Sequence, residues 1–477
     1  MKYRLLIVGL LLLAVQSLRA QPASAPASQP TKSWWEPKQA SQFFQKITVE
    51  DYSRVGTRSS KWDSDAHAAL ESLAVVLECQ ERAEAGDAYD IIYARSKRLN
   101  EAGCSDPLAL YARARAAAFF GKKLDDITPL HVEAAKRIAE SAYHPLLKTV
   151  VCLRGAALRA RDRSDPRASR RDGRRMVEAA LDAMPRALAD PDVPIEAVLD
   201  LYDLVGDASL IVERDRSVVF EKAMDLLKRS PLADRPGLVQ TVQAEFSLNF
   251  ALDARRDTAG AGQEQADKLT RDRLAQAATA AQQAWEADPA HAARAADLMM
   301  QIEHARAGKR DVINTWFARG VEADPRRLAT YLTRLRLLEP PAGGSIREMI
   351  EFARETFRSH GRASDSVSLL PVEAHLRAAE FTAAGVEQDL PQRSYFMSDS
   401  EVWNDIRAAY EPYLSRHPGS LYHRSRFGQL AAWCGQWEVA DQQLKAMGDQ
   451  RFSAAWFRTR ESYLKQRAEV ADHLAAK

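Results

Sequence analysis

The sequence predicts an all-α protein, an α-solenoid of stacked antiparallel helical hairpins, from three observations. First, similar turns open at Gly435 (Gly-Gln-Trp-Glu-Val-Ala), Gly308 (Gly-Lys-Arg-Asp-Val-Ile) and Gly86 (Gly-Asp-Ala-Tyr-Asp-Ile). Second, Glu-Ala-Asp-Pro starts at Glu286 and again at Glu322, a spacing of 36 residues. Third, no stretch alternates apolar and polar residues long enough to predict a strand. A fixed period of this size is typical of helical hairpins that stack on their neighbours.

Residues 1–20 are predicted to be a signal peptide. Lys2 and Arg4 precede an apolar run of 11 residues from Leu5 to Val15, and Ala20 offers a small residue for cleavage. This run is shorter than the ~20 apolar residues that cross a bilayer as a helix. We therefore expect a soluble protein exported to the periplasm or cell envelope, with no membrane span after cleavage. The alternative is an uncleaved N-terminal anchor.

Net charge argues against two classes of partner. The whole chain has 67 basic and 65 acidic residues; removing the three basic residues of the signal peptide leaves 64 against 65, a net charge of −1. A nearly neutral protein has no broad attraction for nucleic acid or anionic membranes. Neither is therefore expected as a partner.

The four cysteines have no metal-ligand spacing, so no metal site is predicted. They lie at Cys79, Cys104, Cys152 and Cys434. An oxidising compartment permits a disulfide between Cys79 and Cys104, which would meet across one helical hairpin. The alternative is that the cysteines are buried free thiols.

A linker and N-terminal extension are predicted at residues 21–61. The Pro/Ala/Ser tract 21–31 has no core-forming residue and should be an extended spacer. The aromatic residues that follow are predicted to pin the chain start onto the first hairpin: Trp34, Trp35, Phe43 and Phe44. The alternative for the tryptophan pair is a docking handle for a partner or for the membrane interface.

Two helical-repeat regions are predicted, at 62–230 and at 231–477, divided by the prolines around 231–236. In the first, a helix from about Asp63 should end at Gly86, and the nearly apolar stretch 145–158 should be a buried central helix. The arginine-rich stretch 154–175 is predicted to be a solvated inter-helix loop; the alternative is a segment that binds an acidic partner, a phosphate-rich polymer or nucleic acid. Predicted helices begin again at 264, after the Gly-rich break at 258–263.

The hairpin predicted at 417–450 carries a recognisable pattern. Its first helix has the large–small pair Phe427 and Gly428. Its second helix follows with a turn glycine, an aromatic, a small, a large and a small residue at Gly435, Trp437, Ala440, Leu444 and Met447. This pattern resembles a tetratricopeptide repeat, in which small residues let paired helices approach while large residues fill the space between them. The region 285–325 resembles the family less fully, and 79–104 more weakly.

The resemblance implies a concave groove that receives a protein or peptide, lined by the first helix of each pair. On the last such helix one face is predicted to be core: Phe427, Leu430, Ala431 and Cys434. Another face at helical spacing is predicted to line the groove: Tyr422, Arg426, Gln429 and Trp433. The alternative is an ordinary amphipathic helix whose polar side meets water.

Known catalytic and cofactor motifs are absent from the sequence, so no catalytic residue and no cofactor are predicted. The leading hypothesis is a non-catalytic exported scaffold that binds a protein or peptide. The alternative is a helical-toroid enzyme or glycan-binding protein of the cell envelope. It depends on acidic and aromatic residues in the last third, above all Glu401, Asp405 and Trp403, because glycosidases use pairs of carboxylates.

Overall fold

Helices make up most of the chain in the computed structural model. The structure describes residues 37–78, 84–161, 165–212, 216–256, 262–288, 292–361, 364–383, 390–397, 400–448 and 451–476, and they contain no strand. These residues belong to one unit, Trp35–Lys477. The predicted all-α fold of stacked helical hairpins is confirmed.

The first half of the described chain contains ten α-helices. They are α1 Pro37–Gln45, α2 Asp51–Val55, α3 Asp63–Glu78, α4 Glu84–Glu101, α5 Pro107–Phe119, α6 Leu124–Glu140, α7 Pro145–Arg161, α8 Pro166–Leu188, α9 Ile195–Val212 and α10 Arg216–Lys228. A π-helical turn, Lys46–Glu50, joins α1 to α2. Phe43 and Phe44 are buried in the core beside α3, as predicted, whereas Trp34 and Trp35 lie outside the described residues.

The second half continues the same pattern of paired helices. It contains α11 Leu238–Arg256, α12 Gln263–Ala287, α13 Ala292–Ala305, α14 Arg310–Ala323, α15 Leu328–Arg336, α16 Ile346–His360, α17 Asp365–Ser368, α18 Leu370–Ala383, α19 Leu390–Met397, α20 Ser400–Arg416, α21 Leu421–Trp433, α22 Trp437–Met447, α23 Ala454–Phe457 and α24 Arg460–Ala475. From α3 to α22 each helix packs against the next, and alternate helices also contact one another, for example α7 with α9, α9 with α11, α11 with α13 and α13 with α15. This double set of contacts is that of a helical solenoid.

The 36-residue period is visible in the backbone. The two Glu-Ala-Asp-Pro segments end α12 and α14, and each aspartate caps its helix in nearly the same conformation. Asp288 has φ −150° and ψ 100°, and Asp324 has φ −148° and ψ 94°. The amide of each aspartate donates to the carbonyl four residues earlier, at Ala284 and Gly320. The repeated sequence therefore marks a repeated helix end.

The chain of helices closes on itself. Helix α21 packs against α4, and the amide of Tyr422 donates to Asp87 Oδ1 at 2.8 Å. The hydroxyl of Ser453 donates to Asp90 Oδ1 at 2.9 Å. A methyl group on Gly86 would lie 2.5 Å from the Tyr422 ring, so only glycine permits this approach. Residues more than 300 positions apart thus form one contact, which we call the closure.

Two sequence predictions in the first half are wrong. Gly86 does not end the first helix; it lies in the first turn of α4, where it makes room for Tyr422. The arginine-rich stretch is not a loop, because its described residues belong to α7 and α8, and Asp165 caps α8 by accepting from the amides of Arg167 and Ala168. Because these charged side chains lie on one helix face, their density in the sequence was misinterpreted as a solvated loop.

Other helices were not predicted. Helix α11 was missed because the prolines before it and the glycines after it suggested one long irregular segment. Pro231–Asp234 is instead a 3-10 turn, and Gly237, at φ 77°, leads directly into α11. The predicted boundary at 230/231 remains a prediction, although one buried apolar cluster extends from Phe43 to Phe246 across it. Helices α1, α2 and α19 were likewise not expected.

Three of the four cysteines lie among the described residues. Cys104, Cys152 and Cys434 are free thiols, and burial raises the pKa of each. Cys79 lies outside the described residues. Within the described ranges no helix has the length and apolar character needed to cross a membrane.

Candidate functional site: an acidic pocket between two helices

A cavity of about 340 Å³ lies between α9 and α11, with α10 as one wall. Asp203 and Asp207 project from successive turns of α9, and Glu245 and Asp253 project from α11 two turns apart. Arg161, at the end of α7, also lines the cavity. Among the described lining residues, four carboxyl groups thus accompany one guanidinium, and we call the cavity the acidic pocket.

The apolar wall of the cavity is aromatic. Phe220 of α10 stacks on Phe246 of α11 with ring centroids 3.5 Å apart, and Phe250 continues the stack at 5.7 Å from Phe246. The guanidinium of Arg273 lies 4.5 Å from the Phe250 ring. Gly206 has no atom near the position of a Cβ, which keeps space open on the α9 side. A rigid aromatic wall thus faces a row of carboxylates.

Two of the carboxylates share one cation. Arg294, on α13, donates through Nη2 to Asp203 Oδ2 at 3.0 Å and to both oxygens of Glu245 at 2.6 and 2.8 Å. Burial, followed by the nearby charge of Glu245, raises the pKa of Asp203 well above its ordinary value, and Arg294 only partly offsets this. Asp203 therefore favours its protonated form.

This arrangement suits a cation that has an apolar stem. Carboxylates attract an ammonium or guanidinium group, and the faces of aromatic rings accept the same charge or the methylene groups that carry it. Pockets of about 300–1,000 Å³ with an apolar wall and a few polar groups are typical of ligand sites. Lysine and arginine side chains, and small amines, have this chemistry.

Two of the four residues predicted to line a groove on α21, Tyr422 and Arg426, pack against neighbouring helices at or beside the closure. Tyr422 packs on Phe119 and Trp456, and Arg426, only 4% exposed, donates to Glu373 at 2.8 Å and lies 5.0 Å from the Trp456 ring.

The second half of this face is half-buried. Gln429 donates to the Trp456 carbonyl at 3.1 Å, and Trp433 packs beside Phe396. Ligand binding by Tyr422, Arg426, Gln429 and Trp433 stays a prediction. The predicted core face is buried at Phe427, Leu430 and Ala431, with Cys434 half-buried at the helix end.

The carboxylates considered for glycan chemistry are held by ion pairs. Arg354 contacts Asp405 at 2.7 Å and Glu401 at 2.9 Å. Asp405 also contacts His375 Nε2 at 2.9 Å, and His375 Nδ1 lies 2.8 Å from the Tyr395 hydroxyl. Although burial alone would raise the pKa of Asp405, its bonds to His375 and Arg354 lower it. This network ties α16, α18, α19 and α20 together.

No three His, Cys, Asp or Glu side chains are placed to hold a metal ion in the part of the chain that the structure describes. The acidic pocket was not predicted, since most of its residues lie on the unpredicted α11 or on its neighbour α9. A usable signal was present: Glu245, Asn249 and Asp253 recur every four residues, beside Phe246 and Phe250.

Comparisons with known proteins show a likeness to solved structures but none to a protein family or a curated protein. No family model matches the chain, and no curated protein matches it. Among solved structures, the chain is similar to a circular tandem repeat protein described as having a novel repeat topology and enhanced subunit contact surfaces. That likeness covers 92% of this chain and 98% of the other, with 13% identity and a TM-score of 0.18. A likeness of this size carries no conclusion about function.

Proposed function

We propose that this protein is a non-catalytic, exported helical-repeat scaffold of the tetratricopeptide type that binds a basic segment of a protein or peptide. The observation that carries the proposal is the acidic pocket between α9 and α11. A lysine or arginine side chain would place its charge beside the Asp207 carboxylate and rest its stem on the aromatic wall.

The test measures binding of short Lys- or Arg-containing peptides to the mature protein by fluorescence anisotropy. Asp207→Asn removes a carboxylate that Arg294 does not bind, so it should weaken binding by about five- to tenfold while leaving the fold intact. Asp234→Asn, on the exposed 3-10 turn before α11, is the matched control and should bind as wild type does. Equal affinity of both variants, or the absence of any peptide preference for basic residues, would overturn the proposal.

Export is tested separately. If residues 1–20 are removed on export, N-terminal sequencing of the protein recovered from the cell envelope fraction should begin at Gln21. Recovery of the intact N-terminus in the membrane fraction would instead support an uncleaved anchor.

A second candidate is an envelope enzyme or binding protein that acts on polysaccharide. One observation favours it: Asp203, whose pKa is raised, lines a cavity with aromatic walls, and a protonated carboxyl is what glycoside hydrolysis needs as an acid. Release of reducing ends from envelope polysaccharide, lost in Asp203→Asn or in Glu401→Gln and Asp405→Asn, would establish it. Absence of both reducing-end release and polysaccharide binding would exclude it.

A further inference from the structure

Two arginines converge on one tyrosine between α5 and α7. Arg115, which is only 7% exposed, donates through Nη1 to the Tyr111 hydroxyl at 3.2 Å and through Nη2 to the Tyr89 hydroxyl at 2.6 Å. The Arg154 guanidinium, on α7, lies close enough to the Tyr111 hydroxyl to help lower its pKa. Two guanidinium groups therefore act on a single hydroxyl.

Neither arginine has a carboxylate partner among the described residues. Other arginines in this fold do have one. Arg294 pairs with Glu245, Arg327 with Asp297, and Arg426 with Glu373. Buried charges in proteins are normally paired, because an isolated ion in a low-dielectric interior is costly. Among the described residues, the positive charge of Arg115 and Arg154 is thus not paired with a carboxylate.

Donor capacity is also left over in this cluster. The Nε of Arg154 and the Nδ1 of His131 are both buried without a hydrogen-bond partner, and His131 is 1% exposed. The hydroxyls of Tyr89 and Tyr111 accept from Arg115, and each retains its own hydrogen to donate. Buried polar atoms in native proteins are nearly always satisfied, so the unsatisfied Nε–H of Arg154 beside a second guanidinium points to a missing acceptor.

The pKa values of Tyr111 and His131 reflect the positive charge of the two arginines. Burial alone would raise the pKa of Tyr111, yet the charges of Arg115 and Arg154 lower it. Burial lowers the pKa of His131 to about 3, with a further contribution from the same two arginines. His131 is therefore neutral at physiological pH and adds no competing charge.

We propose that Arg115, Arg154, Tyr89 and Tyr111 form a binding site for an oxyanion, a carboxylate or a phosphate group of a ligand. Charge-assisted hydrogen bonds from guanidinium groups to such oxygens are among the strongest in proteins. Half-buried Arg154 gives access from solvent, and Phe119, which stacks on Tyr89 at 4.2 Å and is 39% exposed, forms the edge of the site. The site shares no residue with the acidic pocket and goes beyond the function proposed above.

The test titrates the full mature protein with inorganic phosphate and, separately, with acetate, at constant ionic strength and pH 7, by calorimetry. Arg154→Gln, at a half-exposed position, should reduce the affinity by about tenfold or more, because a hydrogen bond to a charged group is lost. Arg113→Gln is the matched control, since Arg113 is two residues from Arg115 on α5 and bonds Asn100 instead. It should bind as wild type does.

Each outcome decides the proposal. Saturable binding of phosphate alone indicates a phosphorylated ligand, and saturable binding of acetate alone indicates a carboxylate. Either result supports the site, provided that the binding is lost in Arg154→Gln. Tyr89→Phe removes one donor without removing charge and should weaken binding more mildly, which gives a second variant if Arg154→Gln does not fold. Absence of saturable binding for both anions, or equal binding by Arg154→Gln and Arg113→Gln, would overturn the proposal.

Discussion

The closure contains a carboxyl group whose protonation should control its strength. Asp90 is 8% exposed, and its Oδ1 accepts from Ser453, while Oδ2 has no hydrogen-bond partner. Burial, and then the charge of Asp87 one turn earlier, raises the pKa of Asp90 to about 8, although its hydrogen bonds oppose this. Asp90→Asn keeps the shape of the side chain and removes its titration.

The magnitude follows from linkage between folding and protonation. Unfolded aspartate titrates near pH 4, so between about pH 4 and 8 the folded state holds a proton that the unfolded state has lost. The folded state binds more protons in this window, and the free energy of unfolding therefore falls as pH rises. For one group the slope is at most about 1.4 kcal/mol per pH unit. Between pH 5.5 and 7.5 the free energy of unfolding of Asp90→Asn should therefore fall less steeply with pH than that of wild type, by up to about 1.4 kcal/mol per pH unit.

The assay is urea unfolding followed by far-UV circular dichroism at several pH values, together with hydrogen exchange of the amides in α21 and α23. Exchange in these helices should accelerate with pH in wild type beyond the intrinsic chemical rate, and less so in Asp90→Asn. Asp225→Asn, at an exposed ion pair with Arg229, controls for removal of a surface carboxylate. Parallel stability curves for wild type and Asp90→Asn would refute the assignment.

Two further predictions concern packing and buried charge. Gly86→Ala should destabilise the protein by about 1–3 kcal/mol, because its methyl group would overlap Tyr422. Gly206→Ala, in open space on α9, should instead stabilise it by about 0.5–1 kcal/mol. Thermal denaturation compares the two variants, and equal changes in melting temperature would contradict the close approach of Gly86 to Tyr422. Arg294→Met should cost about 3–5 kcal/mol by leaving two carboxylates facing each other, and Glu245→Gln in that background should recover part of the loss. A double-mutant cycle by urea unfolding measures the coupling, and additive losses would contradict it.

Helix formation was largely visible in the sequence because it depends on neighbouring residues. Gly103 and Gly121 end helices with φ 70° and 66°, and Gly435 turns α21 into α22 with φ 71°. In the equivalent hairpin the left-handed residue is Ala307, with Gly308 directly after it. The spacing of Glu286 and Glu322 likewise reported a real repeat. These features need no knowledge of distant parts of the chain.

The acidic pocket and the oxyanion site were not visible for a different reason. Asp203 and Glu245 lie 42 positions apart, and Arg294 follows 49 positions later; nothing local marks them as partners. Arg154 was counted as one charge in an arginine-rich loop, although it lies on a buried helix beside Tyr111. Charge patterns along a sequence show which face is polar, but not which charges meet.

The sequence by itself therefore determined an all-α chain of stacked helical hairpins, since helix periodicity, caps and the 36-residue repeat are properties of short segments. Only the tertiary structure decided that the last hairpin returns to α4. That contact depends on Gly86, Asp87 and Asp90 meeting Tyr422 and Ser453 across more than 300 residues. The small rotation between successive hairpins, added over many pairs, sets whether the two ends meet. No single segment encodes that sum, and the same summation places the acidic pocket and the cluster of Arg115 and Arg154.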